Sequence, residues 1–295
     1  MSLERLAPAL FVLLWSTGWI APVYGIGHAS AEIFLVVRFA LAALAFAGLS
    51  LIMGARWPRE PKAMLHATIS GMLLHGVYLG GVWWAIFNGV PASVSGVIAA
   101  LQPLMTAALA PWLVRERLSL VQITGLVLGL VGILIALSPS MAGVTAETFS
   151  AQGLPILINV GAMVGAVLGT LYQKRYLQVG DLRTIGTFQY LGAFLVVAVL
   201  ALIVEEPHFD FSLPLMGVLL WSVFGLSMGA VGLLLYLVRR GQVARAASLI
   251  YLIPPTVAVE SFLLLGEPLQ PMMIIGTLIV VVGLWLAGRK TNATT

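Results

Sequence analysis

Two tryptophans four residues apart, Trp15 and Trp19, lie on one helical face of an apolar run near the start of this 295-residue chain. Near the centres of later apolar runs sit His75 and Tyr78, Gln102, Asn159 and Met163, and Tyr251. These residue types suit reversible recognition better than bond breaking. Their apolar bodies can lie against an aliphatic or aromatic group, while their polar tips satisfy an amino and a carboxylate group. We take these eight as candidate substrate-binding residues, the bland alternative being that Trp and Tyr fill helix interfaces. His75 has three available roles: holding a carboxylate, shuttling a proton, or bridging helices as a neutral imidazole. Arg38 and Glu260 are the two charges placed inside apolar runs. At 1.5 Å per helical residue they lie at matching depths, about 9 Å and about 7 Å below one surface. They are candidates for a gate or for proton coupling, with Arg38 snorkelling outward and Glu260 bonded to a hydroxyl as the alternative.

Other chemistries lack their residues. The chain has no Cys, so it has neither disulfides nor thiolate nucleophiles, and it contains no His-Glu-x-x-His or Gly-x-x-x-x-Gly-Lys motif; its Gly225-Leu226-Ser227-Met228-Gly229 stretch lies inside an apolar run and not at a strand-to-helix nucleophile turn. No paired acids fall at the middle of the runs. The expectation is a protein that is not an enzyme, with no cofactor and no metal. Phosphorylated cargo would need several cations along its path, and Arg38 alone is available there. A lipophilic-cation pump would want an acid in the first run, and "LLWSTGWIAP" offers none.

The elements that must position these residues follow from composition. Hydrophobic residues make up 60% of the chain, charged ones only 9%, and mean hydropathy is +1.05, whereas a soluble domain carries about a quarter charged residues. A helix needs about 20 apolar residues to cross a hydrocarbon core of roughly 30 Å. Charged, Pro-rich and Gly-rich breaks divide the chain into ten such spans: 6–26, 32–54, 64–87, 92–113, 119–138, 153–174, 184–204, 213–238, 243–265 and 270–288. The first has no small-residue cleavage site and reads as a retained span. Continuous runs without alternation exclude a barrel.

Fourteen of the 15 Lys and Arg fall on one side if both termini are cytoplasmic: Arg5; Arg56, Arg59 and Lys62; Arg115 and Arg117; Lys174, Arg175 and Arg183; Arg239, Arg240 and Arg245; Arg289 and Lys290. The opposite connections hold Glu32, Glu147, Glu205, Glu206, Asp210 and Glu267 and no Lys or Arg. The pI near 9.6 therefore reports membrane orientation, and no nucleic-acid partner is expected.

The stretch "ALQPLMTAALAPWLVRE" from Ala100 returns 151 residues later as "IYLIPPTVAVESFLLLGE", pairing Pro103 with Pro254, Glu116 with Glu267, Leu118 with Leu269, Gly125 with Gly276 and Gly132 with Gly283. Gly18 with Gly169 and Gly81 with Gly232 extend the register across the whole half. Two repeats follow, 1–140 and 152–290, of five spans each. An odd count makes the second copy enter from the opposite face, so the repeats are inverted. The charges agree, since Arg115 and Arg117 become Gly266 and Pro268 while core positions persist. Pro103 and Pro254 read as paired hinges or as static kinks. Glycines at 161, 165 and 169, and at 125 and 129, provide close-packing faces.

This pattern, a proline-containing span, a connection with Glu then Leu, and a glycine-spaced span, resembles the EamA repeat of the drug/metabolite transporter superfamily. The resemblance covers nearly the entire chain. It implies an all-α membrane protein of ten helices that exports amino acids or related metabolites, aromatic and neutral ones foremost, through a cavity lined by spans one, three, four, six, eight and nine. Inverted repeats with interrupted helices independently predict alternating access. Alternatives are a multidrug or nucleoside efflux carrier of the same fold, or a membrane channel. The expected setting is a bacterial inner membrane with both termini cytoplasmic. The expected partners are a small-molecule substrate and the lipid bilayer, and the chain is expected to work as a monomer.

Overall fold

The computed structural model describes residues 3–114, 119–142, 145, 149–177, 179–202, 207–230, 233 and 249–289. Among them every regular element is helical. The one extended feature is an isolated bridge between Ala29 and Phe209. Eight helical stretches are long and apolar enough to cross a membrane, from Leu6–Gly25 to Leu213–Ala230, and two shorter apolar ones, Ile250–Leu265 and Pro271–Ala287, follow. Each overlaps one of the ten expected spans, with ends that differ by a few residues or more; the third begins at Pro61 rather than 64, and the fourth ends at Leu109 rather than 113. Residues 231–232, 234–238 and 243–248 of spans eight and nine lie outside the described residues, as do Arg115, Glu116 and Arg117.

Two compact units emerge, and each draws on both halves of the sequence. The first comprises Met1–Ile20, Val90–Ile156 and Leu233–Thr295. It holds α1 (Leu3–Ile20), α5 (Ala92–Ile98), α6 (Leu101–Val114), α7 (Leu120–Met141), α11 (Ile253–Glu260) and α12 (Pro271–Ala287). α7 packs along α12, and α11 lies against α1 and α5. The α7–α12 pair meets backbone to backbone at glycines. A Cβ on Gly132 would sit 2.7 Å from the Val280 amide nitrogen, and one on Gly283 2.7 Å from the Gly129 Cα. Ser119 and Gln122 start α7 with a capping box, each side chain accepting the other's backbone N–H.

The second unit comprises Ala21–Gly89 and Leu157–Gly232. It holds α2 (Ala31–Ile52), α3 (Pro61–Gly71), α4 (Gly80–Phe87), α9 (Leu182–Ala201), α10 (Leu213–Leu220) and, from Leu157, most of α8 (Leu154–Tyr176). α9 packs on α2 and on α3. Between α3 and α4 runs a π-helical segment, Met72–Leu79, and a second one, Trp221–Ala230, follows α10. The spacing of 151 relates the starts of α1 and α8, α2 and α9, and α7 and α12, and it places the two π segments at equivalent positions. On α8, Gly165 and Gly169 pack against Val77 and Leu74, but Gly161 faces open space. The four-residue glycine spacing thus marks a packing face along only part of its length.

Candidate functional site

Each proline break is resolved by the same local device. A helical Pro103 would leave the Ala99 carbonyl without its usual i+4 donor. Instead the Gln102 N–H turns back to that carbonyl at 3.2 Å, closing α5 and opening α6. In the other half the Ile253 N–H takes the Ile250 carbonyl ahead of Pro254, through the 3₁₀ turn Ile250–Leu252. Residues 99, 102 and 103 correspond to 250, 253 and 254 at the repeat spacing, so sequence equivalence has become backbone equivalence. The carbonyls are satisfied by tighter turns, as a chain in lipid requires.

The candidate residues divide between the units. In the first, Trp15 stacks obliquely on Phe11 at 5.3 Å and joins an apolar cluster with Ala7 and Val12. Trp19 is buried, and its indole N–H has no partner among the described residues. Gln102 is half-buried, and its carbonyl accepts from Thr106. The Tyr251 hydroxyl lies against Gly288 just past the end of α12, a space that any side chain at 288 would fill. Glu260 lies near the Ser16 hydroxyl, which itself donates to the Leu13 carbonyl at 3.0 Å, and the Glu260 Oε2 has no partner among the described residues. Glu267 caps α5: Oε1 accepts from the Ala92 N–H at 2.8 Å, and Oε2 from the Ser93 N–H at 3.1 Å and the Ser93 hydroxyl. Gly266, with φ +69°, makes the reversal that delivers it.

In the second unit Arg38 is 2% exposed. Its guanidinium lies 4.3 Å over the Trp83 ring and 5.7 Å from the Phe39 ring, and Phe34 stacks on Trp83 at 5.2 Å. It does not snorkel: Nε and Nη1 are buried and have no hydrogen-bond partner among the described residues. A desolvated cation–π contact contributes about 2 kcal/mol, against a burial cost of several kcal/mol per ion. The stack alone leaves this cation under-satisfied.

Beside it, the His75 ring is stacked on Tyr190 at 4.5 Å and 6°. Tyr190 is hydrogen-bonded to Ser227, which donates to the Ser222 carbonyl and so ties α9 to the second π segment. Tyr78 lies one turn beyond His75, half-buried, while Asn159 and Met163 are fully buried a turn apart on α8. Sequence reasoning missed Trp83 and Tyr190, because nothing local marks a ring whose partner lies 45 or 115 residues away. His66 belongs to α3; its Nδ1 is 2.7 Å from the Tyr172 hydroxyl and its ring stacks on Tyr176 at 4.4 Å.

A family model, the EamA-like transporter family, matches residues 6–138 and again residues 153–289. The chain is 24% identical to an uncharacterized transporter, YvbV, of Bacillus subtilis over 97% of this chain and 91% of that protein. It is 23% identical to a probable amino-acid metabolite efflux pump of Salmonella typhimurium over 94% and 92%. With a probable terminal-alkyne amino-acid exporter of Streptantibioticus cattleyicolor it shares 24% identity over 97% and 93%. A protein of known crystal structure has the same fold at a TM-score of 0.66, with 17% identity over 96% of each chain.

Proposed function

Because the chain belongs to the EamA-like transporter family and is a multi-pass membrane protein, we propose that it exports neutral or zwitterionic metabolites, chiefly amino acids including aromatic ones, by alternating access. In this reading ten helices form two inverted five-helix repeats, 1–140 and 152–290, in a bacterial inner membrane. Both termini are cytoplasmic, and one chain suffices. Trp15, Trp19, His75, Tyr78, Gln102, Asn159, Met163 and Tyr251 contact the cargo. Pro103 and Pro254 are the hinges, and Arg38 and Glu260 are the charged groups through which gating or coupling acts.

One observation carries the mechanism: the two proline turns, equivalent at the repeat spacing, each hold their carbonyl by a three-residue bond. Such turns suit a rocking helix, because a break whose carbonyl is held by its own local bond can bend without leaving that carbonyl unpaired in lipid. The cargo class is supported by the names of two relatives that cover almost their whole length. Purified protein in liposomes tests both. Unlabelled phenylalanine or leucine on one side accelerates labelled amino acid from the other in a saturable way. Flux without saturation or counterflow makes it a channel. Counterflow with nucleosides or cationic dyes alone replaces the cargo class and leaves the carrier mechanism standing.

A further inference from the structure

We propose that the Arg38 guanidinium binds the carboxylate group of the transported molecule. The inference rests on the reading of the chain as a carrier of amino-acid-like solutes, and it assigns the charged end of that cargo to one residue. Buried donors in proteins are normally paired, and each exception calls for an explanation. Arg38 has two, Nε and Nη1, on a side chain 2% exposed. The guanidinium stays protonated in proteins, so its positive charge persists when no ligand is bound.

The surroundings hold the group and leave two of its buried donors unpaired among the described residues. Trp83 takes one face at 4.3 Å and is itself backed by Phe34. Stacking fixes the plane but satisfies no N–H, since ring faces accept the charge and not the fork of donors. A carboxylate matches that fork with two parallel hydrogen bonds. The repeat supplies an internal control. Position 189, equivalent to 38, is Gln189, whose amide nitrogen donates to Ser70 Oγ and to Gln173 Oε1 at 3.1 Å each. The neutral residue is paired within the protein, while the cationic one keeps its donors. A single cation matches a single negative charge, which favours a monocarboxylate over a phosphate. The aromatic rings beside it suit an apolar remainder.

The test uses the full chain purified in detergent, with phenylacetate and phenylacetamide as probes and binding measured by calorimetry. Wild type is expected to bind the acid and to bind the amide at least about tenfold more weakly. Arg38→Gln and Arg38→Met are expected to lose that preference, and Arg38→Lys, which keeps the charge without the fork, to fall between. Equal binding of acid and amide by wild type, binding of neither, or an acid preference surviving in Arg38→Gln overturns the proposal. If Arg38→Gln and Arg38→Met do not fold, Arg38→Lys decides: an acid preference equal to that of wild type overturns the proposal, and a reduced one upholds it. The two readings separate cleanly. Acid binding lost in Arg38→Gln, with no counterflow of any amino acid by wild type, upholds the arginine site and sinks the amino-acid cargo. Phenylalanine counterflow unaffected by Arg38→Gln does the reverse.

Discussion

Glu267 joins two distant segments through three hydrogen bonds, all to the first two residues of α5. A carboxylate there satisfies N–H groups that a helix start leaves open and meets the positive end of the helix dipole. Glu267→Ala is expected to cost about 1–2 kcal/mol, and Glu267→Gln less, because one amide oxygen can still accept. Thermal melting of the purified protein checks this, and unchanged midpoints for both variants would remove the cap from the account. That an acid stands there, at the end of a span, was legible in the sequence. The surroundings of Arg38 were not. Its depth could be counted from Glu32, but the ring beneath it comes from a helix 45 residues on, and spacing encodes only neighbours along one element.

At the scale of elements, apolar runs located nearly every described helix, because in lipid the length of the hydrophobic stretch dictates the length of the helix. The π segments Met72–Leu79 and Trp221–Ala230 escaped notice, for their composition is that of any membrane helix and only the hydrogen-bond register differs. The prolines were visible, but the turn that accommodates each one was not. Restoring the missing donor tests its purpose. In Pro103→Ala or Pro254→Ala the new N–H competes for the Ala99 or Ile250 carbonyl and adds one helical bond worth about 1 kcal/mol. If the bend must re-form in every cycle, counterflow slows about fivefold while cargo affinity is kept. Unaltered rates in both variants would make the prolines static.

Over the whole molecule, the repeat spacing of 151 read from sequence reappears in where helices begin, at Leu3 and Leu154, Ala31 and Leu182, Leu120 and Pro271. Orientation is the remaining expectation. A chain without cysteine allows it to be measured directly, since any label reports an introduced site. Arg115→Cys should react with an impermeant maleimide only from the cytoplasmic side and Gly266→Cys only from the other. Labelling of both from one side would end the inverted arrangement. The division into two compact units was not legible, because periodicity shows that two segments are alike but not which of them will touch.

The glycine contact of α7 with α12 has a consequence for how the protein is made. Residue 141 leaves the ribosome long before residue 271 exists, so the backbone surface of Gly125, Gly129 and Gly132 must wait through half of synthesis for the helix that covers it. Partners so far apart along a chain are slow to find one another, and an unfilled face is open to wrong associations in the meantime. Neither half can therefore complete a unit by itself. A gene cut between the repeats would yield a working protein only if both pieces were produced together in the same membrane.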